Sequence, residues 1–291
     1  KNKFKINNIS LLIAVLLLVV MFVTGANLYD RFGSVSTVLN LFNDNAYLIV
    51  VAVGMTFVLL TGGIDISVAS TLAFTGVFSA FLLEKGWPAA VVIPLVLLIG
   101  TLVGCIQGYA IHEFNIAPFL VTLVGQFFMR GMCAVISTVS IPINNEFFKM
   151  AALKKISFVL SSGGRPKLYY YVFVALFIVF LAWYVLKFTR FGRAVYAVGS
   201  NEQSAQYMGL NVRAVKIGVY GISGFCAALG GVLFSFYTLA GYSLQNMGLE
   251  LDAISSAVIG GTLLTGGVGT VIGSLVGVLI QGIIQTIVTY Q

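Results

Sequence analysis

Few side chains in this sequence could do chemistry, and the clearest is a single carboxylate between two long apolar runs. Asp65 stands in the segment TGGIDIS, where an uncompensated charge facing lipid would cost several kcal/mol. Its place is therefore inside a helical bundle or at its rim. Asp65 or Ser67 can cap the helix predicted from Val68 by accepting free backbone N–H groups. A broken helix at this point can also line a polar path, and the two interpretations are compatible.

A second set of polar side chains follows one face of a predicted helix. Thr122, Gln126 and Arg130 are spaced by four residues, which places them one above another. The stripe requires a polar partner or a water-filled cavity, so a buried structural network and a solute path both stay open. A structural role for the Arg130 guanidinium requires a nearby acid, and the intramembrane acid that the sequence offers is Asp65.

The other polar groups form no catalytic or metal-binding pattern. Glu250 and Asp252 open a predicted helix, and acidic residues in a first helical turn are interpreted as caps. The sequence contains neither a G-x-x-x-x-G-K-[ST] segment nor an H-E-x-x-H motif. Its three cysteines lie far apart in apolar segments, and it has one histidine, which argues against a zinc site or a disulfide framework. We expect a chain that is not an enzyme and has no metal or cofactor of its own.

The elements that position these side chains are apolar helices. Hydrophobic residues make up 59% of the 291 residues and charged residues 9%, too little polar side chain to coat a water-soluble protein. We expect an all-α, polytopic membrane protein whose basic residues reflect membrane topology rather than a nucleic-acid partner. The predicted helices cover residues 9–25, 46–61, 68–84, 88–111, 117–139, 168–188, 214–238, 251–264 and 270–290.

Nine predicted helices define a topology. With the lysine-rich N-terminus in the cytoplasm, the segment 189–213 is cytoplasmic and the segment 140–167 lies outside. The outer segment is long for a connection, so we expect an ordered loop or a re-entrant element. Because an odd number of spans ends at Gln291, we expect a single transmembrane domain over 1–291 whose tenth and final helix is missing.

Glycine pairs interrupt the apolar runs at three places, Gly62–Gly63, Gly260–Gly261 and Gly266–Gly267. Bare backbone at membrane depth is tolerated only inside protein or beside water. The five residues LLTGG at 59–63 recur at 263–267. An internal repeat of a transporter fold and a coincidence in a chain rich in Gly and Leu both stay open.

The cytoplasmic segment 189–213 is where an energy source on another chain can act. Intramembrane acids are too few for an obvious proton relay, since Asp65 is the one strong candidate. An energy-coupled carrier without its own coupling site needs an energy source on another chain. Asn201 to Met208 is predicted to form a short polar helix bounded by Gly199 and Gly209. Such a helix can dock into a groove of a partner, or it can be a solvated linker.

Three segments resemble the permease subunits of ABC importers for ribose-type monosaccharides. Residues 53–70, VGMTFVLLTGGIDISVAS, are similar to that family's segment VGMT-x-V-hydrophobic-TGGIDLSVGS, with Ile66 for Leu and Ala69 for Gly. Residues 189–212 resemble the family's cytoplasmic coupling loop, and residues 250–285 resemble its late segment. The shorter pieces SIPIN at 140–144, GGR at 163–165 and the stretch from Tyr237 resemble the galactofuranose- and fructose-importer permeases.

The resemblance implies a type II ABC importer permease of about ten spans in the bacterial inner (plasma) membrane. It implies three partners: a sugar-type ATPase that binds ATP and Mg, a second and different permease chain, and an extracytoplasmic sugar-binding protein. It also assigns the segment 189–213 to contact with the ATPase. The coupling residues are Arg193, Asn201, Glu202, Ala205, Met208 and Gly209.

We expect the permease to bind its sugar weakly, because a tight site would slow release and affinity can reside in the soluble partner. The substrate is galactofuranose, fructose or another hexose or pentose. The alternative is a stand-alone ion- or proton-coupled secondary sugar carrier, and a membrane-embedded enzyme lacks clustered catalytic groups. The candidate substrate-path residues are Asn45, Asp65, Gln107, Gln126, Phe127 and Arg130.

Overall fold

The computed structural model describes residues 2–29, 32–157 and 166–290, and helices dominate them. Seven of these helices are long and apolar enough to cross a membrane. The helices are α1 Asn2–Leu28, α2 Val35–Leu60, α3 Val68–Glu84, α4 Ala89–Glu113, α5 Pro118–Ile136, α6 Glu146–Leu153, α7 Tyr170–Phe188, α8 Arg190–Ser200, α9 Glu202–Tyr207, α10 Val212–Thr238, α11 Leu249–Ile259 and α12 Val271–Tyr290. The expectation of an all-α polytopic membrane protein is confirmed.

Each of the nine predicted spans corresponds to a helix, but two of these helices are short. α3 has 17 residues and α11 has 11, whereas a full crossing takes about 20 residues. α11 ends where Gly260 and Gly261 follow, and Gly261 adopts a left-handed φ of +93°, a conformation that glycine reaches without strain. The prediction that residues 251–264 form a span is therefore wrong, because the glycine pair stops the helix.

The start of α2 also differs from the prediction. It begins at Val35, eleven residues before the predicted start, and Ser34 caps it by accepting the N–H of Thr37 at 3.2 Å. The polar residues Asn40, Asn43 and Asp44, which precede the predicted start, lie inside the helix. Asn43 is buried, and its side-chain amide donates a hydrogen bond to the backbone carbonyl of Lys167 in the outer segment at 2.9 Å. Tertiary contacts therefore satisfy polar groups that an isolated helix would leave exposed.

Two small antiparallel sheets close one end of the molecule. Strands β1 (Ile141–Pro142) and β4 (Ala240–Gly241) pair with each other, and β2 (Lys155–Ser157) pairs with β3 (Lys167–Tyr169). Together with α6 they show that the outer segment is ordered, as predicted, over its described residues. Residues 158–165, which include the predicted GGR resemblance, lie outside the described residues.

The core is built around α2 and α10. In α2, 89% of the most apolar stretch is buried inside the chain, and α10 packs against it and against α4. Gly100, Gly104 and Gly108 recur every four residues on α4, so they form one face. A Cβ added at Gly104 would collide with the backbone carbonyl of Tyr220 on α10. The two helices therefore touch backbone to backbone.

The helix ends gather at two opposite faces. The ends of α2, α4 and α7 and the start of α10 meet beside the segment 189–213, and here Arg213 faces Glu113 at 3.6 Å. Following the orientation predicted from the sequence, we call this end the inner face and the end with the sheets the outer face. The turn 260–270 also lies at the inner face, where its amide N–H of Gly267 bonds the carbonyl of Leu60.

Candidate solute path and coupling surface

Asp65 lies in a closed hydrogen-bond network between α3, α4 and α10. Its carboxylate is 1% exposed. Oδ1 accepts the Ser67 N–H at 3.0 Å and the Ser67 hydroxyl at 2.7 Å, and Oδ2 accepts the Ser223 hydroxyl at 2.7 Å. Gln107 completes the network, since its Nε2 lies 3.0 Å from the Ser67 hydroxyl. In this conformation Asp65 and Gln107 are packed inside the bundle.

The capping prediction holds only in part at this site. Ser67 is the N-cap residue of α3 and makes no side-chain cap hydrogen bond there. Asp65 instead accepts the N–H of the N-cap residue itself, one position before the helix. The break at Gly62–Gly63 makes this possible, because Gly62 has a left-handed φ of +76° and turns the chain from the end of α2 back into the bundle.

Asn45 is also enclosed. It is 4% exposed, and its Nδ2 donates to the Leu41 carbonyl one turn earlier in α2 at 2.9 Å. Gly282 of α12 lies directly against this amide. A role of Asn45, Asp65 or Gln107 in lining the path therefore stays a prediction that requires a conformation more open than this one.

Gln126 and Arg130 face the loop between β4 and α11. Gln126 Nε2 donates to Glu250 Oε1 at 3.1 Å, and the Arg130 guanidinium donates to the carbonyls of Ser243 at 2.6 Å and Gln245 at 3.2 Å. The expectation that Asp65 is the acid available to this stripe is wrong, because Glu250 supplies one from α11. Two backbone carbonyls accept hydrogen bonds from the Arg130 guanidinium, which the sequence pattern did not indicate.

The remaining two residues on α5 have different surroundings. Thr122 is buried, and its hydroxyl bonds the Pro118 carbonyl at 3.0 Å within the helix. Phe127 is 70% exposed on the surface of the chain, so it contacts lipid or another chain and not the network around Gln126. Its role as a path residue stays a prediction.

A polar surface that the sequence analysis missed flanks α11. Asp252 accepts a hydrogen bond from Gln281 Nε2 on α12. Asp44 hydrogen-bonds the hydroxyl of Tyr237. Glu250 and Asp252 lie in the first turn of α11, as predicted, but the N-cap residue is Gly248 and no side chain caps the helix. Both carboxylates bind amide side chains of other helices instead. Paired spacing along one helix cannot reveal such contacts between distant segments.

The predicted coupling residues lie on α8 and α9 at the inner face. Asn201 caps α9 by accepting the Ser204 N–H at 2.7 Å, and Gly209, with a φ of +78°, follows its end. This confirms the short helix predicted between Gly199 and Gly209. Ala205 is fully buried and anchors α9, whereas Met208 is 68% exposed.

Two further coupling residues complete this surface. Arg193 is exposed on α8, and Glu202 at the start of α9 pairs with Lys216 of α10 at 2.6 Å. Tyr207 projects furthest, with 90% of its surface exposed. We call the exposed side chains Arg193, Tyr207 and Met208 the coupling surface. It presents apolar and basic groups to the space beyond the inner face.

Helix α8 contacts the end of α2 and the turn 260–270, where the two LLTGG segments lie. The Tyr196 hydroxyl of α8 donates to the Gly269 carbonyl at 2.8 Å, and burial raises the pKa of Tyr196 to about 12, so it stays a donor at neutral pH. A Cβ at Gly199 would collide with the Leu60 carbonyl. The two segments differ in backbone, however: Leu59 is helical and Leu263 lies in a turn. The shared letters thus do not mark a shared local structure.

Helices that bury a polar network in a membrane-spanning bundle, with a projecting helical segment at one face, define a membrane transport protein. Comparison of the sequence with known families gives the particular class. Residues 37–291 match the family described as branched-chain amino acid transport system, permease component. The chain belongs to this family.

Curated relatives extend over nearly the whole chain. The chain is 43% identical over 285 residues to the inner membrane ABC transporter permease protein YjfF of Escherichia coli K12, covering 98% of this chain and 85% of that protein. It is 37% identical to the fructose import permease protein FruG of Bifidobacterium longum NCC 2705, with coverage of 98% and 85%. The ribose import permease protein RbsC of Escherichia coli K12 is 36% identical, with coverage of 94% and 83%. No solved structure matches the chain significantly.

These relatives confirm the resemblance that the three sequence segments indicated. The chain is a multi-pass membrane protein and the permease component of an ABC transporter. In such a transporter the ATPase is a separate partner, so the expectation of a transport subunit is supported.

Proposed function

We propose that this chain is the membrane-spanning permease of an ATP-driven importer for a monosaccharide. One observation carries this proposal: relatives with 36–37% identity over almost the full chain bear the names of fructose and ribose import permeases. The substrate is galactofuranose, fructose or another hexose or pentose. The chain binds it weakly and passes it between the two faces of the membrane.

The energy for this cycle comes from a partner ATPase that binds ATP and Mg. The geometry of the coupling surface supports this role, because Tyr207 and Met208 expose large apolar side chains on a capped helix that Ala205 holds in place. A motion at α9 reaches the bundle through α8, whose Tyr196 and Gly199 contact the turn 260–270 and the end of α2.

Two more partners complete the proposed importer. An extracytoplasmic sugar-binding protein delivers the sugar at the outer face, where α6 and the sheets form an ordered platform. A second, different permease chain forms the other wall of the path. The exposed apolar face of α5, with Phe127 and Phe128 more than half exposed, supports a lateral neighbour of either kind, lipid or protein.

The stand-alone ion- or proton-coupled carrier is the less favoured alternative. Asp65, the residue on which proton coupling would depend, is enclosed by hydroxyl donors in this conformation. The relative YjfF carries the name of an ABC transporter permease, which favours an ATPase on another chain as the energy source.

The test is purification of the chain from its native host under mild detergent, followed by reconstitution of the recovered complex in liposomes. We expect an ATPase and a soluble binding protein to co-purify, and uptake of one radiolabelled monosaccharide to require ATP. Ribose, fructose and galactose are the first probes, and leucine is the control for the amino-acid transport named in the family description. Uptake by the isolated chain without ATP would establish the carrier instead, and uptake of leucine alone would overturn the sugar assignment.

A further inference from the structure

The exposed face of α11 is bordered on both sides by carboxylate–amide pairs. Successive residues of a helix are about 100° apart, so Glu250 and Asp252 point away from each other and Leu251 projects between them. Leu251 is 64% exposed, and Ser255, one turn later on the same face, is exposed too. Glu250 binds Gln126 of α5 on one side, and Asp252 binds Gln281 of α12 on the other.

Each pair presents acceptors and donors at one place. A carboxylate accepts hydrogen bonds and an amide both donates and accepts. Two neighbouring hydroxyls of a sugar ring can each donate and accept, so they can hydrogen-bond to both members of such a pair while the carboxylate stays ionised. The Ser256 hydroxyl fixes the orientation of Gln281 by donating to its Oε1 at 2.7 Å, so that its Nε2 points at Asp252. The second pair is therefore preset by its neighbours.

The first pair has hydrogen-bonding capacity left over. Within the described part of the chain, three buried polar atoms of the loop and α11 have no partner: Gln245 Nε2, Asn246 Nδ2 and Glu250 Oε2. A buried polar atom without a partner costs about 1–3 kcal/mol, so such atoms are normally satisfied by a ligand, water or a change of conformation. Two donors and one acceptor next to a transport path suit a polyol.

We propose that the exposed face of α11, from Leu251 to Ser255, is the wall of the path that contacts the solute, and that the pairs Glu250–Gln126 and Asp252–Gln281 bind its hydroxyl groups. This inference rests on the proposed sugar-permease function. It places the contacts near the outer half of the bundle. α11 is short, and its residues after Ser256 are apolar up to Gly260. The sugar therefore makes few hydroxyl contacts with this helix, and its release is fast.

The test is cysteine accessibility at Ser255 in the reconstituted complex with its ATPase and partner chains. Ser255→Cys is made in a background where Cys105, Cys133 and Cys226 are replaced by alanine, and it is treated with a membrane-impermeant thiol reagent. Leu102→Cys on α4, which is 50% exposed, is the matched control on a lipid-facing helix. We expect Ser255→Cys to react at a rate that differs at least fivefold between the nucleotide-free and vanadate-trapped complex, and Leu102→Cys to stay unreactive.

Protection by sugar tests the hydroxyl contacts. Ribose, fructose and galactose are each added, and the sugar that the wild type takes up is expected to slow labelling of Ser255→Cys. In the wild-type background, Glu250→Gln and Asp252→Asn should raise the half-saturating sugar concentration for uptake about tenfold, while co-purification of the ATPase stays unchanged. Glu84→Gln, an exposed carboxylate at the outer end of α3, is the control and should behave as the wild type.

The outcomes separate this inference from the proposed function. Labelling of Ser255→Cys that does not respond to nucleotide removes α11 from the path, whichever solute is carried. Nucleotide-dependent labelling without protection by a sugar that the wild type transports overturns the hydroxyl contacts. If the wild type takes up none of the three sugars, the sugar assignment fails and the hydroxyl contacts fail with it, while the nucleotide response still decides the position of α11.

Discussion

The backbone N–H of Gly267 donates a hydrogen bond of 2.9 Å to the carbonyl oxygen of Leu60, the last residue of α2. This bond joins the end of α2, the most buried span, to the turn 260–270 that follows α11. Gly199 of α8 lies against both groups. One point at the inner face therefore connects the coupling segment to two elements that border the candidate path.

The first prediction concerns the close contact at Gly199. Alanine at a helical glycine position normally stabilises by up to about 1 kcal/mol, but a Cβ at Gly199 would collide with the Leu60 carbonyl and lie 2.7 Å from Gly267 N. We expect Gly199→Ala to lower the free energy of unfolding by about 1–3 kcal/mol and to reduce ATP-driven uptake. Thermal melting of the detergent-solubilised protein measures the first effect.

Gly131→Ala is the matched control for this variant. Gly131 is also helical, and an added Cβ there would have no neighbour within 4 Å. Its melting temperature should be unchanged or slightly higher. Equal behaviour of the two variants would show that the contact at Gly199 has no energetic importance.

The second prediction concerns Asp65. Asp65→Leu leaves the Ser223 hydroxyl and the Ser67 N–H buried without their acceptor, and each such group costs about 1–3 kcal/mol. The Ser67 hydroxyl keeps Gln107 Oε1 as an acceptor at 3.1 Å. We expect a loss of about 3 kcal/mol or more and a low yield of monodisperse protein. Ser223→Ala removes one of the three hydrogen bonds and should cost roughly 1 kcal/mol. Normal yield and normal uptake for Asp65→Leu would make this carboxylate incidental.

The third prediction concerns Arg130, whose guanidinium holds the loop before α11. Arg130→Ala removes the donors to the carbonyls of Ser243 and Gln245, so amide hydrogen exchange across residues 242–248 should become at least tenfold faster. Phe127→Ala, which shortens an exposed neighbour on the same helix, should leave this exchange unchanged. Slow exchange in both variants would mean that other contacts hold the loop.

Labelling at the same stripe distinguishes a path from a packed network. Gln126→Cys and Arg130→Cys, each in a background without native cysteines, are treated with a small membrane-impermeant thiol reagent. Because both residues are only partly exposed in this conformation, we expect labelling that depends on sugar or ATP if they line the path. Absence of labelling in every transport state would place both inside the bundle throughout the cycle.

The fourth prediction compares two methionines of equal exposure. Met208 on the coupling surface is 68% exposed at the inner face, and Met247 is 69% exposed on the outer loop. We expect Met208→Ala to weaken retention of the ATPase about tenfold, since a large apolar side chain in the centre of an interface can contribute more than 1 kcal/mol. Met247→Ala should retain the ATPase as the wild type does. Affinity pull-down with increasing salt and detergent measures the difference.

Replacement of the whole helix extends this prediction. A flexible Gly/Ser stretch in place of Asn201 to Met208 should uncouple ATP hydrolysis from uptake while the bundle stays inserted, because these residues lie outside the helices that can cross the membrane. Unchanged uptake in that variant would show that the segment is a linker and not a docking element.

The sequence was informative wherever one local pattern decides the structure. An apolar run marked each helix that was predicted as a span, and Gly209 follows the short helix predicted for Asn201 to Met208. Gly199, the other predicted boundary, lies inside α8. The early start of α2 and the early end of α11 were missed for opposite reasons. Tertiary partners satisfy the polar Asn43 inside α2, whereas the pair Gly260–Gly261 ends α11 inside an apolar run.

The candidate site was harder to predict because its pairs join distant segments. Gln126 and Glu250 are 124 residues apart in sequence, and Asp252 and Gln281 are 29 apart. Periodicity aligned Gln126 with Arg130 correctly but could not show what they face. Asp65 and Gln107 were candidates because each is a polar residue in an apolar segment, and both bind Ser67 inside the bundle.

The glycine face between α4 and α10 has a mechanical consequence. A Cβ at Gly104 would collide with the backbone of α10, so sliding that brings any side chain to this point is blocked. We therefore expect α4, α10 and the α2 packed beside them to move as one rigid unit. We expect the motion in elements outside this backbone contact, which include α5 and α11. α5 and α11 meet at the hydrogen bond from Gln126 to Glu250, and we expect this bond to break and re-form in every transport cycle.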